Sequence, residues 1–386
     1  MLYRKFGKTN EEVSLLGFGC MRLPIIDNNP AKIDEKKAME LVRNAIDRGI
    51  NYIDTAYPYH GTGFDKGGES EPFVAKALKD GYREKVKIAT KLPSWLIKKR
   101  EDMDRFLDEQ LNRLETDHID FYLVHSLEKN TWKNLKSLGI NEFLDKAIKE
   151  GKIKHAGFSF HDDIDTFKDI VDFYDWSFCQ IQYNYLDENY QAGKEGLQYA
   201  ASKGLGIAIM EPIKGGTLAN KVPKDVLVAW DKAPIKRTPA QWALRWVMNH
   251  PEVSVVLSGM NDLDQVEDNI NTASECTANS LTGEELDLVD FAKKTFKAKM
   301  KINCTSCRYC MPCPAGVDIP KNFALYNNAF LMDNLPAIKA TYDFRIAQSE
   351  KPSNCVQCGK CEKHCPQSIA IREELKNLRA VFEQTT

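Results

Sequence analysis

The sequence predicts an α/β protein: a parallel (β/α)8 TIM barrel over residues 1–299, followed by a small, mainly α-helical domain over 300–386. Three observations predict it. Eight short apolar runs alternate with segments whose apolar residues recur at helical spacing, as in a parallel sheet covered by helices. Most of those runs end in a polar or loop-forming residue, as the rim of one cleft would. Eight of the 11 cysteines fall between Cys304 and Cys365, beyond the last run.

A barrel of this kind takes about 250 residues, so 386 leave room for the second domain. The net charge of -2 implies no bulk attraction to nucleic acid or to a membrane. The charge is unevenly spread. From Lys297 onward 13 Lys+Arg stand against 8 Asp+Glu, a balance of +5, which leaves -7 for the rest. The basic tail either faces an acidic partner or is a solvated surface. Met1 to Lys8 hold no apolar signal region, and no run approaches the roughly 18 apolar residues of a membrane span. The expectation is a soluble, cytoplasmic protein. In that reducing compartment clustered cysteines mean metal rather than disulfides.

Taken in order, Val13 to Gly19 reads as the first strand, followed by Cys20-Met21-Arg22. Ala38, Leu41, Val42, Ala45 and Ile46 share one helical face, and Gly49 stands where a left-handed cap would end that helix. Asn51 to Ile53 is the second strand; Asp54 follows it, and Tyr59 comes five residues later. An acid and a phenol are poor core material, because each buried polar group needs a partner. Val86 to Lys91 is a strand ending in lysine, and Phe106, Leu107, Leu111 and Leu114 mark the next helix. Ile119 to His125 is a strand ending in histidine; Phe143 to Lys149 is helical, and His155 to Ser159 is a strand ending in serine. A helix over Ile164 to Phe173 leads to Ser177 to Gln180, and one over Gln191 to Ser202 leads to Leu205 to Met210. Thr238-Pro239 opens another helix with a capping threonine and a proline at its first position. Val253 to Leu257 then runs into Ser258-Gly259, and two more helices fill 262–299.

Active sites of (β/α)8 barrels lie at the strands' carboxyl ends. There Asp54, Tyr59, Lys91 and His125 stand after strands two, two, three and four. This order, with the Asp-Thr-Ala-x-x-Tyr spacing, resembles the aldo-keto reductase superfamily. The resemblance runs from about Val13 to Asn271 and includes Gly151 to Ser159 and Thr238 to Trp246. It implies an oxidoreductase that interconverts a carbonyl and an alcohol with a nicotinamide cofactor. Such chemistry needs these residue types. Hydride reduction of a carbonyl leaves a developing alkoxide that needs a proton, and a tyrosine hydroxyl of pKa about 10 gives it poorly at neutral pH. An ammonium alongside lowers that pKa. By the resemblance Tyr59 is the general acid/base, Lys91 activates it, and Asp54 pairs with Lys91 so that the charge is not buried alone. His125 would orient the substrate oxygen, with Trp95 and Tyr57 at the substrate mouth. The competing reading is a purely structural Asp54–Lys91 pair, with Tyr57 in the place of Tyr59.

The resemblance further assigns Gly19, Cys20 and Met21 to the cofactor, and Ser159 and Gln180 to the nicotinamide carboxamide. Phe160 stands where the family usually has asparagine, and Met210 where many members stack a tyrosine; a thioether can still pack on a ring face. Lys214, Gly215 and Gly216 could wrap the pyrophosphate, since glycine allows close backbone approach, or form an ordinary turn. Ser258, Gly259, Gln265 and Asn269 match the segment that holds the adenosine end. NADP-preferring relatives carry a lysine and an arginine where Gly259 and Gln265 stand, so NAD and NADP both remain open.

Cys304, Cys307, Cys310 and Cys313 form a C-x2-C-x2-C-x2-C-P run, and Cys355, Cys358, Cys361 and Cys365 a C-x2-C-x2-C-x3-C-P run. The second is the bacterial ferredoxin spacing, and the pair resembles a ferredoxin-type domain with two [4Fe-4S] clusters. In two-cluster ferredoxins the fourth cysteine of each run ligates the other cluster. Carried over, one cluster takes Cys304, Cys307, Cys310 and Cys365, and the other Cys355, Cys358, Cys361 and Cys313. Zinc is the competing metal. The helical pattern between the runs makes this a helical ferredoxin-like domain, whose acidic partner would be a carrier such as ferredoxin or flavodoxin.

Nicotinamide moves two electrons and each cluster one, so coupling them takes a converter such as a flavin; a flavin is compatible with the barrel, though no motif marks one. The alternative is an electron-relay or redox-sensing protein that uses a reductase-like barrel as a binding scaffold. The intact Asp54, Tyr59, Lys91, His125 set argues against it, and Phe160, Met210 and Gly259 argue for it.

Overall fold

In the computed structural model, which describes residues 1–383, eight parallel strands close into a barrel. Before it, Tyr3–Lys5 (β1) and Glu12–Ser14 (β2) pair as an antiparallel hairpin. The barrel strands are Leu16–Gly19 (β3), Tyr52–Asp54 (β4), Lys87–Leu92 (β5), Ile119–Leu127 (β6), Ile153–Phe160 (β7), Phe178–Gln182 (β8), Gly206–Met210 (β9) and Val255–Ser258 (β10). Each pairs with the next in sequence, and β10 closes the ring on β3. Helices cover the outside, so the strands are largely buried on both faces and read as mostly apolar runs.

Sequence signals fix the elements locally. Glu35–Asp47 (α1) starts where the Asp34 side chain accepts the Lys37 amide at 3.2 Å. It buries Ala38, Leu41, Val42, Ala45 and Ile46, and ends before Gly49, whose φ of 100° puts it in the left-handed region. Thr238 and Gln241 cap each other reciprocally ahead of Pro239–Met248.

Two expected bounds shift. The first strand, Val13 to Gly19, is broken at Leu15, because Val13 and Ser14 belong to the hairpin and only Leu16–Gly19 enters the barrel. The helix ahead of β7 is joined by an earlier one, Lys129–Ser137, with Gly139 in a left-handed turn between them. The hairpin has a packing role. It seats Phe6 against Tyr52, Phe121 and Phe178, at ring distances of 5.7, 4.8 and 5.2 Å. These rings join Val13, Ala89, Leu123, Ala208, Val255 and Leu257 in one buried cluster. A side chain on Gly206 would meet the Phe6 ring at 2.5 Å, so strand and ring fit only with glycine there.

By packing, the chain divides into two compact units: residues 1–212 with 244–280, and 213–243 with 281–386. The 299/300 boundary suggested by the cysteines falls inside the second unit. There Trp230 stacks on Trp242 at 5.6 Å, and its indole N–H donates to the Leu288 carbonyl at 3.4 Å. The region that bears the cysteines is mainly helical, with Ile319–Leu331, Leu335–Arg345 and Ile371–Phe382. Its core includes Phe323, Tyr326, Tyr342, Leu375, Leu378 and Phe382, with the rings of Tyr342 and Phe382 stacked at 4.7 Å. Among the described residues no helix is long and apolar enough to cross a membrane.

Truncating the ring against which four strands pack leaves a cavity that the closed barrel cannot collapse. Phe6→Ala is expected to lower the unfolding free energy by about 3–5 kcal/mol, read as a lower urea midpoint at unchanged slope.

Candidate functional site

At the carboxyl end of β4, Asp54 is the last strand residue and is buried. The chain then turns tightly: the Tyr59 amide donates to the Ala56 carbonyl at 3.1 Å, and His60 follows with a left-handed φ of 59°. The His60 ring holds this turn, accepting the Leu23 amide at Nε2 (3.2 Å) and donating from Nδ1 to the Pro30 carbonyl (2.8 Å). On the neighbouring strand β5, Lys91 is fully buried. Its Nζ donates to Asp54 Oδ1 at 2.6 Å and to the Thr55 carbonyl at 2.7 Å, and it lies 5.0 Å from the centre of the Tyr59 ring. The His125 ring, from β6, lies 6.1 Å from Tyr59 and 5.1 Å from Trp95. The four sequence-predicted groups therefore converge on one place, each brought by a different strand end or the loop after it.

Burial raises Asp54 above the usual carboxylate range and lowers Lys91, while their mutual attraction opposes both shifts. His125 is pushed well below its ordinary value by burial, then by the charges of Lys91 and His161. The imidazole is thus neutral at pH 7 and adds no second cation beside Lys91. Its Nδ1 is buried without a hydrogen-bond partner. The backbone around it is fixed: the Ser94 hydroxyl donates to the His125 carbonyl at 2.6 Å, and Ser126, at φ 53°, donates its amide to Ser159 Oγ at 2.7 Å. A register shift between Val124 and Leu127 accompanies that turn.

The predicted cofactor residues fall into four sets. Gly19 ends β3, and Cys20 and Met21 form a short 3-10 turn after it, with the Cys20 thiol pushed up by burial beside Asp54. Ser159 and Gln180 are register partners on β7 and β8. Gln180 Nε2 donates to Met210 Sδ at 3.5 Å, while its Oε1 is buried with no partner. An unmatched carboxamide oxygen suits the N–H of a nicotinamide carboxamide, so these residues fit the expected ring. Ser258 and Asn269 bond to each other at 3.1 Å, and Gln265 accepts the Asn261 amide at 3.2 Å. Lys214, Gly215 and Gly216 all adopt positive φ, in the second unit.

Arg22 is a residue that sequence reasoning passed over. It packs so closely on Gly259 that a side chain there would meet it at 3.2 Å, and it pairs with Glu211 at 3.6 Å. A cation directly after the first strand was the available signal.

In the second unit Cys304, Cys307, Cys310 and Cys365 line one cavity, walled by Ile319, Phe323, Ile369 and Ile371. Burial raises the Cys310 thiol, and the charges of Cys307, Cys304 and Cys365 add to the effect. Four crowded thiolates need a cationic core to ionise together, so the donor set fits an iron–sulfur cluster. Burial raises the Cys361 thiol, and Glu362 and Cys355 add to the effect. Cys355, Cys361 and Cys313 pack on the same apolar core, whereas Cys358 is exposed. Among the described residues, no three His, Cys, Asp or Glu side chains form a single-ion site.

A closed (β/α)8 barrel with this group of side chains at one end defines an oxidoreductase of the aldo-keto reductase type. The sequence matches the aldo/keto reductase family over residues 15–290 and a 4Fe-4S dicluster domain over 303–370, so the chain belongs to that family and carries an added dicluster domain. It is 28% identical over 310 residues to L-galactose dehydrogenase of Arabidopsis thaliana, covering 74% of this chain and 92% of the relative. It is 26% identical over 325 residues to aldo-keto reductase YhdN of Bacillus subtilis, covering 74% and 91%. Among solved structures it is similar to the holo form of aldo-keto reductase AKR11C1 from Bacillus halodurans, with a TM-score of 0.62 and 27% identity over 76% of this chain and 96% of that one.

The buried imidazoles make stability pH-dependent. Burial lowers His161 to about 4 in the folded chain, against about 6.5 when unfolded. The unfolded state therefore binds protons first, and this contribution is complete above about pH 6.5 and lost as the pH falls towards 4. Between pH 7 and 4.5 the urea midpoint is expected to fall further in wild type than in His161→Gln.

Proposed function

We propose that the protein interconverts a small carbonyl compound and its alcohol with NAD(P), and that two [4Fe-4S] clusters in its cysteine-bearing region carry electrons. What supports the first half is the convergence of a phenol, an ammonium, a carboxylate and a neutral imidazole at neighbouring strand ends, together with the unmatched Gln180 carboxamide oxygen on β8. When bound, the nicotinamide supplies or accepts the hydride and the clusters supply or accept single electrons.

The chain's own residues handle the proton and the charge. Tyr59 gives its hydroxyl proton to the carbonyl oxygen in reduction and takes it back in oxidation. The Lys91 ammonium, 5.0 Å from that ring, favours the phenolate left behind. Asp54 keeps the ammonium from being an uncompensated interior charge. His125, neutral, hydrogen-bonds the substrate oxygen and sets its angle. Trp95 walls the mouth, its indole N–H engaged by the Phe64 carbonyl at 3.0 Å, so it offers substrate an apolar face. Ser159, Gln180 and Met210 would hold the nicotinamide, with Gly19, Cys20, Met21, Ser258, Gly259, Gln265 and Asn269 along the rest of the cofactor.

The thiol ring of Cys304, Cys307, Cys310 and Cys365 supports crossed ligation, with Cys313 serving the cluster of Cys355, Cys358 and Cys361. We place the boundary between the two family domains at 299/300, in the cytoplasm, with an acidic one-electron carrier as partner of the basic tail.

Two measurements test this. Tyr59→Phe should cut NAD(P)H-dependent reduction of small aldehydes by about 10²–10⁴-fold while binding of the reduced cofactor, followed by its fluorescence, stays within a few-fold; equal activity would sink the proton-donor assignment. Anaerobically purified protein should hold about eight iron atoms, and Cys365→Ala about four. Loss of no iron, or of all of it with the fold intact, would exclude crossed ligation.

A further inference from the structure

A second buried carboxylate lies close to Lys91, and carbonyl reduction does not call on it. Glu71 sits in the first turn of Ser70–Ala77 (α2), directly after the loop that carries Tyr59, and it is fully buried. Its Oε1 accepts the Thr90 hydroxyl at 2.7 Å and Gln110 Nε2 at 2.6 Å; its Oε2 accepts Arg113 Nε at 2.9 Å. Gln110 and Arg113 belong to Arg100–Arg113 (α3), and Thr90 is the neighbour of Lys91 on β5. Three elements thus meet on one carboxylate.

Every branch of this network returns to the reacting pair. Gln110 Nε2 also donates to the Lys91 carbonyl at 3.1 Å. Arg113 donates to the Gly68 carbonyl. Two residues further on, the Ser70 amide donates to the Tyr59 carbonyl at 3.2 Å. The Ser70 hydroxyl lies 2.8 Å from Thr55 Oγ1, and the Thr55 carbonyl accepts Lys91 Nζ. The loop is drawn in so tightly that a side chain on Gly68 would meet the Tyr59 carbonyl at 2.1 Å, and one on Gly67 would meet the Arg113 guanidinium at 2.7 Å. A buried ion pair is a weak source of stability, since apolar residues of like volume often do as well. Holding two backbone segments and one charge in register is work that apolar packing cannot do.

We infer that Glu71 is a positioning residue: through Thr90, Gln110 and Arg113 it fixes the loop bearing Tyr59 against the strand bearing Lys91, and it adds a second negative charge to the surroundings of that ammonium. This rests on Tyr59 and Lys91 being the proton-transfer pair. The titratable groups facing Lys91 are Asp54 from β4, Cys20 from the turn after β3, Glu71 from α2 and His125 from β6. Those facing Glu71 are Lys91 from β5, Arg113 from α3 and, through Gln110, the Tyr122 hydroxyl of β6.

Glu71→Gln in the full, cluster-bearing chain keeps the shape and removes the charge. Loss of a nearby negative charge lowers the pKa of every group that senses it, so the pH profile of kcat/KM for a small aldehyde should move down by about one unit. We expect kcat to fall about tenfold or more, with the KM for reduced cofactor within twofold. Asp120→Asn is the control: it removes another buried carboxylate, paired with Arg83 and Lys154 at the opposite end of β6, and should leave the profile in place. Independently of turnover, carbon NMR of ε-labelled lysine, with the Lys91 signal identified by its loss in Lys91→Met, should show the Lys91 titration displaced downward in Glu71→Gln. A displaced titration in a chain that reduces no carbonyl would support the inference and strike the reductase reading alone. A profile and a Lys91 titration that both stay put would overturn it. Should Glu71→Gln not fold, Arg113→Lys keeps the charge and loses the fork to Gly68; about a tenfold fall in kcat at an unmoved pH profile is expected, and unchanged kcat would overturn the inference.

Discussion

An ammonium sealed inside a barrel sets the terms for the residues around it. Lys91 has no contact with solvent, and the work of taking its charge out of water is offset only by Asp54, by the Thr55 carbonyl and by attraction from charges further off. That requirement constrains the neighbourhood. The parallel pairing that sets Asp54 beside Ala89 brings the carboxylate within reach of a side chain two residues along β5. The imidazole on the next strand must be neutral, because a second cation in so dry a place would be repelled. The phenol comes from the loop after β4, and that loop is tied down. His60 ties it on one side, and Glu71 with Arg113 on the other.

The second unit solves a different electrostatic problem on a smaller core. Its cysteines sit on an apolar cluster built from helical residues such as Phe323, Tyr342 and Leu378. A thiol pressed against hydrocarbon resists ionisation, and a neighbouring thiolate makes ionisation harder still. The same surroundings that disfavour a bare thiolate favour a metal core that shares the charge among four sulfurs. The two halves of the protein therefore follow one rule, that charge enters the interior only with a partner.

Much of this can be read in the sequence, and physics separates what can from what cannot. Strands such as Val255–Ser258 are covered on both faces, so they appear as unbroken apolar runs. Helix ends are marked by residues with one conformational reason to be there, Gly49 and Thr238 among them. The polar residue types at strand ends mark the buried group around Lys91, since each is costly to bury without a partner. Other features depend on contacts distant in sequence. Val13 to Gly19 is one mostly apolar run, and the seating of Phe6 inside the barrel separates hairpin from strand. Glu71 follows a serine at a helix start, where an acid ordinarily lies in solvent and favours the helix dipole; its burial depends on Arg113, 42 residues away. The packing of Trp230 against Leu288 spans 58 residues and leaves no local trace.

The division of the chain has a consequence for how the two halves can be parted. The polypeptide leaves the first unit after Pro212, re-enters it at Leu244 and leaves again after Ser280. No single protease nick at these crossings parts the units cleanly, because at least one of the two fragments always carries a segment of the other unit. The cysteine-bearing half is for that reason no detachable appendage. Recombination could exchange it intact only by carrying along an interior stretch of the reductase sequence.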